Sequence, residues 1–157
     1  MKNLKQPEEL FWLEYLKTTP PGLPEIPRIT ASYAGNKLTT DDLLHLYLID
    51  KKTASSSILE DFTSANEPIP KIGDFWIILN SKDEPSCILR TERVVVFNKF
   101  KHVTKEIAIA EGEGDLSLEY WRRVHKDFYS PFLKSWGLTD IEDATVITEF
   151  FKIVYKR

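Results

Sequence analysis

The chain has 157 residues, of which 42% are apolar and 12% aromatic, and its net charge is −3. This length suits one domain that buries its own core, and the charge argues against a protein that coats polyanions. The single cysteine, Cys87, excludes an intramolecular disulfide and a cysteine-based zinc cluster, and its apolar surroundings are typical of a core position. No apolar run approaches the about 20 residues that span a bilayer, so the sequence predicts a cytoplasmic protein without membrane contact.

The N-terminal segment is predicted to form a helix over residues 7–17. Pro7 suits a first helical turn, and two acidic residues follow it at the positive end of the helix dipole. Leu10 and Leu13 share one face of this helix. Four prolines come between residues 18 and 27. We therefore expect residues 1–27 to be a helix with a proline-rich linker, and residues 28–157 to form the main domain.

The rest of the chain alternates between helix-like and strand-like segments. Helical periodicity predicts three more helices, over residues 41–49, 104–110 and 115–128. Enrichment in β-branched and aromatic residues predicts strands over residues 72–79, 86–90, 93–98 and 145–155. The core face of the helix at 115–128 would carry Leu118, Trp121, Val124 and Phe128. The predicted fold class is α+β, a small β-barrel flanked by helices with an extra N-terminal helix.

A first candidate site follows the second helix, where Asp50 is succeeded by Lys51, Lys52 and four hydroxyl residues between positions 53 and 57. Two lysines beside hydroxyls can hold a phosphate, and a desolvated lysine can deprotonate a neighbouring hydroxyl. The same segment is also typical of a solvated helix end followed by a short strand or a polar loop. Both interpretations stay open.

A second candidate site is the segment at residues 110–115, in which three carboxylates alternate with glycines. Glycine allows a positive φ, and crowded carboxylates raise one pKa, as general acid catalysis requires. Alternatively, Asp115 caps the following helix while Glu111 and Glu113 complement its dipole.

A third candidate is a basic patch that could contact phosphate, although it could equally be a solvated face. Its residues are Lys99, Lys101, His102, Lys105, Arg122, Arg123 and Lys126. The three histidines of the chain stand apart from one another, and the familiar phosphate-loop and zinc motifs are missing. We predict no metal site and no cofactor.

Several segments, taken together and in their order along the chain, resemble the ASCH domain family. They are residues 43–57, 72–74, 100–104, 110–118 and 121–125. The resemblance covers residues 28–156 and implies a PUA-like β-barrel with a central cleft that binds RNA or nucleotides. The helix-end motif of the family is Gly-x-Lys-x-x-Thr. In this chain Asp50 stands at the glycine position, Lys52 at the lysine position and Ser55 at the threonine position.

One branch of this family hydrolyses the acetyl amide of N4-acetylcytidine with a lysine, a threonine and a glutamate, and other members are ribonucleases. Carried onto this chain, the resemblance implies that Ser55 attacks the acyl carbon and that Lys52 accepts the hydroxyl proton. Glu111 or Glu113 would then protonate the departing amine.

Three hypotheses result. The first is a module that binds RNA, a nucleotide or a nucleoside in a cleft lined by Lys52, Ser55 and Glu111. Its further ligand contacts would come from Thr53, Arg122 and Lys101. The second is a hydrolase of a modified nucleoside, or a ribonuclease, that uses the same cleft. The third is a protein-interaction domain whose N-terminal helix docks onto a partner or onto a second copy of the chain through Phe11, Trp12 and Tyr15.

Overall fold

A computed structural model describes residues 3–19 and 27–157. In this part of the chain, five α-helices and five strands are numbered in chain order. The helices are α1 (Gln6–Leu16), α2 (Thr40–Leu48), α3 (Leu59–Ser64), α4 (Lys105–Glu111) and α5 (Leu118–Tyr129). The strands are β1 (Ile29–Tyr33), β2 (Ala54–Ile58), β3 (Phe75–Leu79), β4 (Pro85–Phe97) and β5 (Val146–Lys156).

The strands form one mixed sheet in the order β1-β3-β4-β5-β2. β1 runs parallel to β3, whereas the β3–β4 and β2–β5 pairs are antiparallel. The predicted strands at 86–90 and 93–98 are one continuous strand, β4, and the segment after α2 forms β2. Neither β1 nor the six-residue α3 was predicted from the sequence. None of the described helices is both long and apolar enough to cross a membrane.

The chain divides into two compact units. The first contains α1, α2, β1, β3, the start of β4 and the end of β5. On α1 the predicted apolar face is wrong, because Leu10 and Leu13 are 54% and 43% exposed. The buried apolar positions are Phe11, Trp12 and Tyr15, whose spacing of one and four residues places all three rings on one side of the helix.

These three aromatic rings pack within their own unit. Trp12 and Tyr15 contact Phe75 of β3, with ring centroids 4.9 and 5.9 Å apart, and Phe11 contacts Tyr155 of β5 at 5.1 Å. A partner protein could not reach them without removing α1 from its core. The hypothesis that this helix docks onto a partner through these rings is therefore wrong. The division at residue 27 stays a prediction, and the predicted linker over residues 20–26 lies outside the described residues.

The second unit contains β2, α3, α4 and α5 with the remaining parts of β4 and β5. The predicted core face of α5 is partly wrong, since Phe128 is 45% exposed while Trp121 and Tyr129 are buried. The face is centred on His125, one turn from each of them. The prediction located the core face from apolar residues alone, and this placed Phe128 on it. Histidine is not counted as apolar, so the pattern gave His125 no weight.

Cys87 lies in β4 and is fully buried, as the sequence predicted. Burial raises the pKa of its thiol from 9.0 to about 12. Only the thiolate reacts with alkylating agents. We expect iodoacetamide at pH 8 to modify Cys87 in the folded protein roughly a thousandfold more slowly than in urea. Mass spectrometry of timed samples measures both rates, and equal rates would contradict the buried position.

Candidate functional site

Lys52 is a buried lysine held between two glutamates. Its Nζ lies 2.9 Å from Oε2 of Glu113 and 3.4 Å from Oε1 of Glu111. It also donates to the backbone carbonyl oxygen of Glu111 at 3.3 Å. The Lys52 residue is 4% exposed and Glu111 is 2% exposed. Both belong to the second unit, and they join the first and second candidate segments of the sequence into one site.

The end of α4 brings the two glutamates to the lysine. Glu111 is the last residue of that helix, and Gly112 follows with φ +69°, the left-handed conformation that turns the chain. A Cβ on Gly112 would lie 2.1 Å from the carbonyl oxygen of Lys51. Only glycine therefore allows this close approach. The backbone N–H of Thr53 donates to the carbonyl oxygen of Ala110 at 2.8 Å and holds the two segments together.

Glu111 is surrounded by hydrogen-bond donors besides Lys52. The Ser56 hydroxyl donates to its Oε2 at 2.9 Å, and the indole N–H of Trp121 donates to the same oxygen. Nε2 of His125 lies 3.3 Å from Oε1. Burial alone would raise the pKa of Glu111, but Lys52, His125 and Trp121 outweigh it and lower that pKa to about 2. Glu111 is therefore a carboxylate at neutral pH.

The hydroxyl beside Glu111 is that of Ser56, not that of Ser55. Ser56 stands opposite Thr148 in the β2–β5 register, and the two hydroxyl oxygens are 2.7 Å apart. Because Ser56 gives its proton to Glu111, Thr148 donates to Ser56. Side chains alternate along a strand, so Ser55 points to the opposite face of β2, where it is half-buried and stands opposite Glu149.

The other predicted contact residues lie nearer the surface. Thr53 is exposed, and its hydroxyl donates to the carbonyl oxygen of Ala110 at 3.3 Å. Arg122 is half-buried and donates to the backbone carbonyl oxygen of exposed Lys101 at 2.8 Å. The structure thus brings Arg122 and Lys101 of the third candidate together.

The predicted helix cap, Asp115, is two residues too early. Ser117 is the N-cap of α5, and its hydroxyl accepts from the backbone N–H of Tyr120. The Asp115 carboxylate accepts from the backbone N–H of Ser117 and so supports the cap without forming it. A serine followed by a regular helical pattern is itself a cap signal, but the prediction chose Asp115 because it is the last of three carboxylates that alternate with glycines.

Ser56, His125 and Thr148 were not predicted as members of the site, and Trp121 was predicted as a core residue of its helix. The four-residue spacing between Trp121 and His125 places both on one helix face. This spacing was the signal from which His125 could have been predicted to lie beside Trp121. Thr148 carried no signal, because its contact depends on the pairing of β2 with β5.

The protonation of Glu111 has a consequence for stability at low pH. Because its pKa is about 2 in the folded protein and 4.5 without these contacts, its contribution is complete above pH 4.5 and is lost as the pH falls toward 2. We expect the free energy of unfolding to fall through this window and the Glu111→Gln variant to show a flatter dependence. Urea titrations at several pH values measure both slopes. Equal slopes would contradict the depressed pKa.

Residues 30–155 of the chain match the ASCH domain family. The chain belongs to this family. The ASCH fold is α+β and PUA-like, as the sequence predicted, and the family is thought to bind RNA. Among curated proteins, no sequence matches this chain.

Two solved structures support the assignment. The crystal structure of an ASCH domain from Lactobacillus crispatus JV V101 is 27% identical, with a TM-score of 0.89 over 99% of this chain and 98% of the other. The crystal structure of protein EF3133 from Enterococcus faecalis V583 is 26% identical, with a TM-score of 0.79 over 94% and 88%.

Proposed function

We propose that this ASCH protein binds RNA or a free nucleoside and that the Glu113 carboxylate recognises a base amino group. The Lys52–Glu113 pair is the observation that supports this function. Lys52 is buried, whereas 22% of the Glu113 side chain is accessible. The group that the cluster offers to a ligand is therefore a carboxylate, oriented by an ammonium 2.9 Å away.

The accessible group of the cluster argues for a base and against a phosphate. Because Lys52 is buried, a phosphate would meet the Glu113 carboxylate first and would be repelled by it. A carboxylate accepts hydrogen bonds from exocyclic amines such as N4 of cytosine. The ligand that fits is thus a base with an exocyclic amine, which is cytosine, adenine or guanine, since uracil has none.

In this proposal the surface residues serve the rest of an RNA ligand. The exposed ammonium of Lys101 and the guanidinium of Arg122 would contact phosphates, and the Thr53 hydroxyl would contact a sugar or a base. Such contacts weaken with salt, whereas recognition by Glu113 does not depend on counterion release. The buried, unpaired Cys87 thiol suits a reducing compartment, and we propose the cytoplasm as the location.

Calorimetric titration of cytidine, adenosine, uridine and inorganic phosphate into the full chain tests the proposal. We expect cytidine or adenosine to bind at least about tenfold more tightly than uridine, because a buried acceptor without its donor costs about 1–3 kcal/mol. Glu113→Gln should lose this preference. Glu119→Gln, which changes an exposed glutamate, should keep it. Equal affinities for cytidine and uridine, or tight binding of phosphate alone, would refute recognition by Glu113.

A second candidate function is the hydrolysis of an acylated nucleoside. It is favoured by the combination of a lysine, two glutamates and a hydroxyl in one cluster, with Ser56 2.9 Å from Glu111. Ionised Glu111 cannot supply a proton, so Glu113 would take the proton of the attacking hydroxyl and pass it to the departing amine, and water would then release the acyl group from the serine. The attacking hydroxyl would be Ser55 by its place in the motif or Ser56 by its place in the cluster.

Incubation with N4-acetylcytidine and mass spectrometry of the products tests this second candidate. Free cytidine produced by the wild type and not by Glu113→Gln would establish hydrolysis. The variants Ser55→Ala and Ser56→Ala then identify the nucleophile, because only one of them should abolish turnover. Binding of N4-acetylcytidine without conversion would exclude hydrolysis of this substrate and leave the binding function.

A further inference from the structure

His125 lies at the centre of the buried face of α5, and both of its ring nitrogens face oxygen atoms. Nδ1 is 2.7 Å from the backbone carbonyl oxygen of Trp121, and Nε2 is 3.3 Å from Oε1 of Glu111. The imidazole also stacks on the Trp121 indole, with centroids 4.1 Å apart and an interplanar angle of 18°. These contacts fix the ring, so each nitrogen keeps its own oxygen.

Both of these oxygens can only accept hydrogen bonds. A carbonyl oxygen carries no proton, and Glu111 is ionised at neutral pH. A neutral imidazole has a proton on one nitrogen only, so its other nitrogen would turn a lone pair toward an oxygen lone pair. The two contacts are satisfied together only when both ring nitrogens carry a proton.

We propose that His125 is a positively charged positioning residue that holds the Glu111 carboxylate in place and, with Lys52, balances the two carboxylates of the cluster. The cluster then carries two positive and two negative charges. Tyr129 of α5 also packs against the imidazole, with ring centroids 5.9 Å apart. It stays neutral because burial raises its pKa. Its hydroxyl donates to the backbone carbonyl oxygen of Ser56 at 2.7 Å.

The positioning role of His125 would make ligand binding depend on pH, and this step rests on the proposed function. When His125 loses a proton, one of its nitrogens faces an oxygen without a hydrogen bond, and Glu111 loses one of the groups that orient it. Lys52 is then shared between two carboxylates with one cation fewer. The Lys52–Glu113 pair would no longer be held in one geometry, and the affinity for a base would fall as the pH rises.

Nuclear magnetic resonance of the full chain labelled with ¹⁵N-histidine tests the charge directly. The exposed residues His45 and His102 serve as internal references. At pH 7 we expect both ring nitrogens of His125 to show the shifts of an imidazolium. In Glu111→Gln, which removes the carboxylate that faces Nε2, we expect one of the two ring nitrogens of His125 to lack a proton at the same pH. One protonated and one bare nitrogen in the wild type at pH 7 would overturn the proposal, and this result does not depend on whether the variant folds.

The pH profile of cytidine binding separates the positioning role from a merely structural one. Between pH 6 and pH 8.5, we expect the affinity of the wild type to fall at least threefold, while that of His125→Gln stays level and that of His45→Gln, which changes an exposed histidine outside the candidate sites, follows the wild type. A wild-type affinity that does not change with pH would overturn the positioning role. If cytidine binds at no pH, the proposed function fails, and the ring spectra still decide the charge of His125.

Discussion

Replacing Lys52 with alanine should lower the free energy of unfolding by about 3–5 kcal/mol at pH 7. The ammonium lies within 3.4 Å of carboxylates from both Glu111 and Glu113. Without it, Glu111 would remain as a buried carboxylate that has lost its strongest counter-charge, and a charge left in that state is costly. Urea unfolding followed by circular dichroism measures the difference.

The neighbouring residue provides a matched control. Lys51 is exposed, so Lys51→Ala should change the free energy of unfolding by less than about 0.5 kcal/mol. The double variant Lys52→Met/Glu111→Gln removes both charges and should recover part of the loss, since a buried pair can be replaced by neutral groups of similar size. A loss below about 1 kcal/mol in Lys52→Ala would show that water replaces the ammonium in the cluster.

Gly112→Ala should destabilise the protein by about 2–5 kcal/mol. The left-handed φ of +69° costs an L-residue about 1–2 kcal/mol, and overpacking costs about 1–3 kcal/mol more. The added Cβ would meet the carbonyl oxygen of Lys51 at 2.1 Å and its carbonyl carbon at 2.7 Å. Both atoms are backbone, so the clash cannot be relieved by a side-chain rotation.

Gly137 separates these two causes. Its φ is +74°, but no atom lies within 4 Å of the position that a Cβ would take. Gly137→Ala should therefore cost only the conformational part, about 1–2 kcal/mol. Thermal unfolding of the two variants measures the difference between them. Equal losses would mean that the Lys51 backbone moves aside without cost, and base recognition by Gly112→Ala should then be unchanged as well.

The elements that the sequence predicted well are those whose pattern is long and regular. The last strand, β5, was predicted within one residue at each end, and α1 and α2 were shifted by a single residue. β1 was missed because it is short and its half-buried residues alternate with the exposed polar residues Thr30 and Ser32. β1 pairs in parallel with β3, which is distant in sequence, and local propensity carries no information about such a pairing.

The candidate site shows a similar division. Chemistry and resemblance singled out Lys52, Glu111 and Glu113, which the structure places together. The sequence pattern could not distinguish Ser55 from Ser56, because three consecutive serines are chemically alike. Only the strand register decides which one faces Glu111. His125 was overlooked because its partners are a backbone carbonyl oxygen and a distant carboxylate.

The bonds of the cluster span long stretches of the chain, and this affects how the protein folds. Ser56 is 55 residues from Glu111 and 92 residues from Thr148. Contacts of such separation are expensive to close in an unfolded chain and tend to form after the local helices. We therefore expect the ionic cluster to assemble late in folding, so that substitutions of Lys52 accelerate unfolding and barely slow refolding. Only molecules that have completed their folding would then be able to bind a ligand at this cluster.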